Sequence, residues 1–269
     1  YPNPGFPIYE SMIKFAGGTP VPMQLHDRLG YSPDIEEVKS LVNHRTKLII
    51  IDSPNNPCGG VIPPEDLETL SEIAKSCDAI VLSDEIYKDF YYEGSHTSIT
   101  KFPNMPERTI ILDGLSKSYA MTGWRFGYGV LPEDLVEPIT RLVTNSVSCT
   151  ATFSQIAASV ALDSSQDSVS SMVGEFKSRR DILVDELNRL PGIVCPVPKG
   201  AFYAFPNIQG TGLSSQEFER LALDTAGVAL LSGTSFGAFG EGYVRISFAN
   251  SSENILEALR RLGDLLSNL

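Results

Sequence analysis

Asp113-Gly-Leu-Ser-Lys117-Ser-Tyr-Ala-Met-Thr-Gly-Trp-Arg125-Phe-Gly-Tyr128 is the stretch from which the rest of the chain is read. The run before it, Thr109 to Leu112, is apolar and β-branched and predicts a short buried strand. Asp113 and Gly114 end that run, and Ser116 and Lys117 follow at once. A lysine just past a strand end sits where open α/β sheets bind their ligands. Arg125 is a permanent cation able to clamp a phosphate. Taken alone, the stretch is most simply a surface loop with two solvated cations.

The chain around it repeats one pattern. Lys47 to Ile51 predicts a buried strand that runs into Asp52-Ser-Pro-Asn-Asn-Pro-Cys-Gly-Gly60, a turn dense in Pro, Asn and Gly. Pro63 to Lys75 is amphipathic, with Leu67, Leu70, Ile73 and Ala74 on one face. Ala79 to Leu82 predicts the next buried strand, ending in Ser83-Asp84-Glu85-Ile86-Tyr87. Strand–helix–strand repetition of this kind argues for a largely parallel, doubly wound sheet. Earlier, Ile8 to Ala16 and Pro33 to Asn43 predict helices and Thr19 to Gln24 a strand. Later, Phe126 to Val130 predicts a strand, and Pro132 to Thr144 and Phe153 to Leu162 helices.

Asp163 to Ser171 is rich in Ser, Asp and Gln and marks a domain edge, dividing the chain into 1–167 and 168–269. The second part reads as α+β. Its helices are Glu175–Leu190, Gln216–Ala226 with a Ser214…Glu217 capping box, and Glu253–Leu266. Its strands fall near Ile193–Cys195, Phe202–Phe205, Val228–Leu231 and Tyr243–Phe248. Alternation in the last puts Val244, Ile246 and Phe248 on one face and Arg245 on the other. An arginine so placed most often meets solvent, just as a lone Asp84 at a strand end would.

The central stretch resembles the lysine signature of class I/II aminotransferases, the fold-type I enzymes that use pyridoxal 5'-phosphate (PLP). The pattern Ser-Lys-x-x-x-Met-Thr-Gly-Trp-Arg-x-Gly-Tyr is long and ordered, and further motifs follow the family order along essentially the whole chain. The resemblance implies a PLP-dependent transferase-like large domain and a smaller C-terminal one. It also assigns roles. Lys117 would form the Schiff base with PLP and then serve as the general base. Ser116 and Arg125 would bind the cofactor phosphate, while Gly114 stands where many relatives have Ser or Thr. Phe6, in the Pro-Gly-aromatic-Pro segment, would stack on the pyridine ring.

Asn56, in a loop like Pro-x-Asn-Pro-Thr-Gly with Cys58 at the Thr position, would meet the phenolic oxygen together with Tyr87. Asp84 would hold the pyridine nitrogen protonated, so that the ring takes up electrons from Cα. Arg245, in Gly-Tyr-Val-Arg-Ile-Ser247, would grip the substrate α-carboxylate as a fork, with Asn56 beside it. Gly200-Ala-Phe-Tyr203 and Gly233-Thr-Ser-Phe-Gly237 fit the family as backbone positions near the pocket.

The expected function is an amino acid aminotransferase acting on an amino acid and a 2-oxo acid by a ping-pong pair of half-reactions. A β-lyase or γ-synthase on the same scaffold shares every motif quoted, and an inactive fragment is the third reading. The chain has 269 residues, 42% hydrophobic, room for one large or two unequal domains. Its net charge of -12 argues against nucleic acid or an anionic membrane as a partner. No apolar run reaches the ~18 residues of a membrane span. Cys58, Cys77, Cys149 and Cys195 lack metal or redox-motif spacing, which fits reduced thiols in the cytoplasm. No metal is expected from His26, His44 and His96. The chain opens Tyr-Pro-Asn-Pro-Gly-Phe-Pro with no initiator Met. By the resemblance, an N-terminal segment that helps hold the phosphate and build a homodimer interface is expected before Tyr1. A chain lacking it is expected to bind PLP weakly and turn over little.

Overall fold

In the computed structural model, residues 1–268 are described. The central sheet has the order β3-β4-β5-β6, formed by Leu48–Asp52, Ile80–Asp84, Thr109–Gly114 and Gly127–Val130. β3, β4 and β5 are mutually parallel and β6 is antiparallel to β5. The sheet is therefore mostly parallel, as expected. The reversal at β6 has a local cause: the chain returns from β5 through a loop holding only the 3-10 turn Thr122–Trp124, not through a helical crossover. A parallel pair, β1 (Pro2–Asn3) and β2 (Met23–Gln24), lies to one side. β2 is much shorter than the predicted Thr19–Gln24 because Pro20 and Pro22 have no N–H to pair.

Helices α1 (Ile8–Phe15), α2 (Ile35–Leu41) and α3 (Pro64–Ser76) precede β4. Asp34 caps α2 by accepting from the amides of Glu36 and Glu37, which sets its start later than Pro33. Leu67, Leu70, Ile73 and Ala74 of α3 pack on Ile49, Ile51 and Val81, so the predicted apolar face is the buried one. That packing consumes one face of β3 and β4; Asp52 and Asp84 belong to the other.

β5 is less covered than the predicted buried strand, and β6 is largely exposed. Leu112 and Val130 are exposed, as are Leu142, Val147, Phe153 and Ile156 on or beside α4 (Glu133–Ser146) and α5 (Thr152–Asp163). Next, α6 spans Asp167–Leu187 and starts eight residues before the predicted Glu175. Its first turn is exposed apart from Val169, so its Ser-rich composition resembles a linker.

In the last third, β7 (Tyr203–Ala204), β8 (Leu231–Ser232) and β9 (Val244–Ser247) form an antiparallel sheet ordered β7-β9-β8. The strand expected at Ile193–Cys195 is reduced to a single bridge, Val194 with Asn207. Helix α7 (Ser215–Asp224) carries the predicted capping box, and α8 (Ser252–Leu266) lies against α6. Leu183, Leu187, Phe218, Val244, Phe248, Leu259 and Leu262 form its core. Gly233 and Gly240 meet so closely that a Cβ on either would sit about 2 Å from the other's carbonyl oxygen.

Just beyond Asp84, Glu85 is buried and accepts hydrogen bonds from Ser83 Oγ (3.0 Å), Ser98 Oγ (2.7 Å) and, with the ring in the right tautomer, His96 Nε2 (2.9 Å). Burial pushes its pKa up, but His96, Ser98 and Ser83 together outweigh that and hold it below the usual value. Stability from a carboxylate lowered in this way is present above its unfolded pKa and is lost as pH falls through the folded one. Glu85→Gln is expected to cost about 1–3 kcal/mol at neutral pH. The variant also loses less stability than the parent on acidification. Urea titrations across the acid range check both; an equal acid slope would remove Glu85 as an anchor of the β4 end.

Candidate active site

The parallel register brings three chain turns to one edge of the sheet. The turn after β3 carries Asn56, the one after β4 carries Tyr87, and the one after β5 carries Lys117. Together with Phe6, Asp84 and Arg245, these side chains line a single cavity of about 380 Å³. That is the size range of small-molecule sites, about 300–1,000 Å³.

Lys117 Nζ lies 5.8 Å from the ring centre of Tyr87 and 5.9 Å from that of Phe202. Burial, then the charges of Arg245 and Arg125, lower its ammonium pKa, with Asp84 acting the other way. A larger fraction is thereby the neutral amine, the nucleophilic and basic form. Asp84 Oδ2 accepts the Tyr9 hydroxyl at 2.6 Å and Oδ1 the Ile86 amide at 3.2 Å, so the carboxylate is fixed in orientation. Phe6 and Tyr9 pack edge to face, with ring centres 5.9 Å apart.

Arg245 lies between the rings of Tyr203 (4.4 Å) and Phe236 (4.7 Å) and donates from Nη1 to Asn56 Oδ1 at 3.0 Å. It is partly buried against the cavity, not on a solvated face. The Tyr87 and Tyr203 hydroxyls are hydrogen-bonded at 2.9 Å, and burial drives the Tyr87 pKa far upward, so the phenol stays protonated.

Six of the eight residues singled out from sequence thus converge. Ser116 and Arg125 stand beside the cavity without lining it. Arg125 is exposed, has a left-handed backbone (φ 54°) and donates to the Thr122 carbonyl at 3.0 Å. At Gly114, an added Cβ would sit 2.9 Å from the Phe126 carbonyl oxygen and 3.0 Å from Gly127 Cα, which explains the absence of a Ser or Thr side chain there. Cys58 is buried with its thiol pKa pushed well up, consistent with a packing role. Among the described residues no cluster of potential metal ligands occurs, and no helix is long and apolar enough to cross a membrane.

Sequence reading assigned no site role to six cavity residues: Ile86, Leu112 and Asp113, which flank the strand ends, and Asp52, Tyr9 and Tyr203. Asp52 carried a usable signal, since it ends β3 just as Asp84 ends β4. Tyr9 and Tyr203 reach the cavity only through tertiary packing.

The aminotransferase class I and II profile matches residues 1–262. The aspartate aminotransferase of Pyrococcus horikoshii is 41% identical over 97% of this chain and 67% of its own length. For the aromatic-amino-acid aminotransferase 2 of Thermococcus litoralis the identity is 40%, over 98% of this chain and 69% of the relative. The crystal structure of an aromatic aminotransferase from Pyrococcus horikoshii superposes with a TM-score of 0.96 at 39% identity, covering 99% of this chain and 72% of that one. The chain spans about two thirds of the length of these proteins. With a profile match over nearly its whole extent and relatives at about 40% identity, the chain belongs to the class I and II aminotransferases, fold-type I enzymes that exchange an amino group between an amino acid and a 2-oxo acid and are in general PLP-dependent.

Proposed function

We propose that the cavity between the β3, β4 and β5 ends holds PLP and that the intact protein catalyses transamination there. The observation that carries this reading is the convergence of Lys117, Asp84, Asn56, Tyr87, Phe6 and Arg245 on one cavity. The donor set suits the group: an amine with a lowered pKa, a carboxylate for a ring nitrogen, polar groups for a phenolic oxygen and an aromatic face. Ser116 and Arg125 are assigned to the phosphate. Arg125 is close enough to Lys117 to lower its pKa, which supports an anion subsite on that side.

Bound there, PLP supplies an aldehyde for an amine and a conjugated cationic ring that takes up the electron pair left at Cα. The protein's own groups do the rest. Asp84 holds a proton on the ring nitrogen, because a fixed anion favours the charged form of its partner. Tyr87 and Asn56 donate to the phenolic oxygen. Arg245 grips the substrate α-carboxylate and fixes the orientation of the Cα–H bond. Lys117, as a neutral amine, would take the Cα proton and return it.

The division into 1–167 and 168–269 is proposed with it, supported by two large apolar clusters, one drawn wholly from residues before 110 and one, apart from Tyr92, from residues after 170. A cytoplasmic homodimer is proposed as the working state. The relatives' names span aspartate and aromatic substrates, so the reading stops at α-amino acids.

Borohydride reduction of the PLP-loaded intact protein is expected to fix the cofactor on the peptide holding Lys117, and Lys117→Ala to abolish the label. Trapping on Lys47, Lys88 or Lys199 would overturn the assignment. A single turnover that leaves pyridoxamine phosphate and a keto acid supports transamination; ammonia release points to a lyase.

Asp84→Asn is expected to slow Cα deprotonation by ~100-fold or more, since loss of a few kcal/mol of transition-state stabilisation has that size. Single-turnover rates at saturating substrate check it, and an unchanged rate removes Asp84 from that role.

Arg245→Lys should raise the amino-acid KM well beyond kcat effects, since an ammonium cannot make the two-pronged contact. A rise below about 3-fold, roughly 0.6 kcal/mol, would mean that another cation holds the carboxylate.

A further inference from the structure

Two further carboxyl groups line the cavity without a part in the chemistry above: Asp113, which is held by Lys88 and Tyr128, and Asp52. Asp52, at the end of β3, is in register with Asp84, at the end of β4. In-register residues of neighbouring strands project to the same face from backbones about 4.8 Å apart. Both side chains line the cavity. Two carboxylates this close and away from water cannot both remain ionised without a large cost.

Their surroundings are unequal. Asp84 has a short bond from Tyr9 and one from the Ile86 amide, and both favour its carboxylate. Asp52 is only 5% exposed. Its Oδ2 accepts two long bonds, from Asn55 Nδ2 and the Asn56 amide, each 3.2 Å. Its Oδ1 makes no hydrogen bond among the described residues and can carry a proton without displacing a donor. Burial, then the charge of Asp84, push Asp52 well above the usual carboxylate range, with the Asn56 amide opposing. Burial raises Asp84 too, but Tyr9 and Ile86 pull against it.

The other groups facing the pair do not reverse this order. The Tyr9 and Tyr87 hydroxyls and the Cys58 thiol are all driven upward, chiefly by burial, and stay neutral. Asp113 and Glu85 add negative potential at Asp84, and the Lys117 ammonium adds positive potential.

We propose that Asp52 is a positioning residue that acts through Asp84: the two carboxyl groups share one proton, held on Asp52, and, with Asp113 paired to Lys88, Asp84 is the one carboxylate left to face a cationic ring. The ring as ligand rests on the proposed function; the shared proton is a property of the protein alone. As pH rises, Asp52 ionises and the cavity gains a further negative charge beside Asp84.

Infrared titration of the intact protein, carrying isotope-labelled aspartate, reads the pair before and after PLP loading. The carbonyl stretch of a protonated Asp is expected to persist at neutral pH, to be missing from Asp52→Asn, and to survive in Asp84→Asn with its midpoint lowered by about one pH unit or more. PLP loading, by adding a cation beside the pair, should also lower the midpoint. Absence of the band from the parent protein, or its retention in Asp52→Asn with loss in Asp84→Asn, would overturn the assignment. An unmoved midpoint in Asp84→Asn would show that the groups are uncoupled; one unmoved by loading would sever the link to the ring. Borohydride labelling of Lys117 in the same samples is read separately. Its failure with the band intact would sink the proposed function and leave the carboxyl pair standing.

Discussion

Everything at the candidate site depends on the register of three parallel strands. Ile51 pairs with Ser83, Asp52 with Asp84, and Asp84 with Leu112, so β3 and β4 end at one level and β5 runs two residues farther, to Gly114. The register follows from the apolar pattern. Ile49, Ile51 and Val81 must pack under α3, which leaves Asp52 and Asp84 on the opposite face. A one-residue slip of β4 would exchange its faces, burying the carboxylate against Leu70 and Ile73 and turning Val81 to the cavity. Burial of the α3 face therefore positions a carboxylate that it never touches. The chain turns after the strands then need only be short to bring Asn56, Tyr87 and Lys117 together.

The last third of the chain closes the cavity from the other side through a few polar contacts. Arg245 reaches Asn56, Tyr203 reaches Tyr87, and the Tyr31 hydroxyl donates to the Phe205 carbonyl at 2.8 Å. Tyr243 adds a bond to Asp27 at 2.9 Å and stacks on Phe205 with ring centres 5.2 Å apart. Each of these hydrogen bonds pairs a residue beyond 200 with one before 90, so the site is assembled by long-range contacts. Each part also has an apolar cluster largely its own, and two smaller clusters, Tyr31 and Cys58 with Phe205 and Phe236, and Tyr87 and Phe90 with Tyr203, join them.

This division explains what could be read in the chain. Long elements with strong periodicity, such as α3, α8 and β3 to β5, were legible because one buried face dictates their pattern. Two-residue strands such as β7 and β8 were misplaced or overextended, since tertiary contact and not local pattern ends them. The start of α6 was hidden by a Ser-rich surface. At the site, residues within ordered motifs were legible: Lys117, Asn56, Asp84 and Arg245. Tyr9 was not, because its role lies in a hydroxyl reaching Asp84 across 75 positions of sequence. Asp52 was seen only as part of a turn, and its meaning emerges once the register sets it beside Asp84.

Charge gives the arrangement its direction. The chain as a whole is strongly acidic, at -12, yet Lys117, Arg125 and Arg245 gather at or beside one cavity. Among the described residues none of the three has a carboxylate within ion-pair distance, although surface cations such as Lys14, Arg141 and Arg260 do. Arg245 instead has two aromatic faces and an amide oxygen, which hold its guanidinium in place without neutralising it. A cation kept in reserve this way costs stability, since burial alone disfavours its charge. That cost is recovered when an anion arrives, and a planar carboxylate matches the guanidinium fork better than water does. Carboxylates line the same cavity, with Asp84 aimed by Tyr9. The cavity thus presents both signs of charge on fixed groups. A ligand with an anionic arm and a protonated ring nitrogen complements both, whereas a uniformly charged one is repelled by one of them.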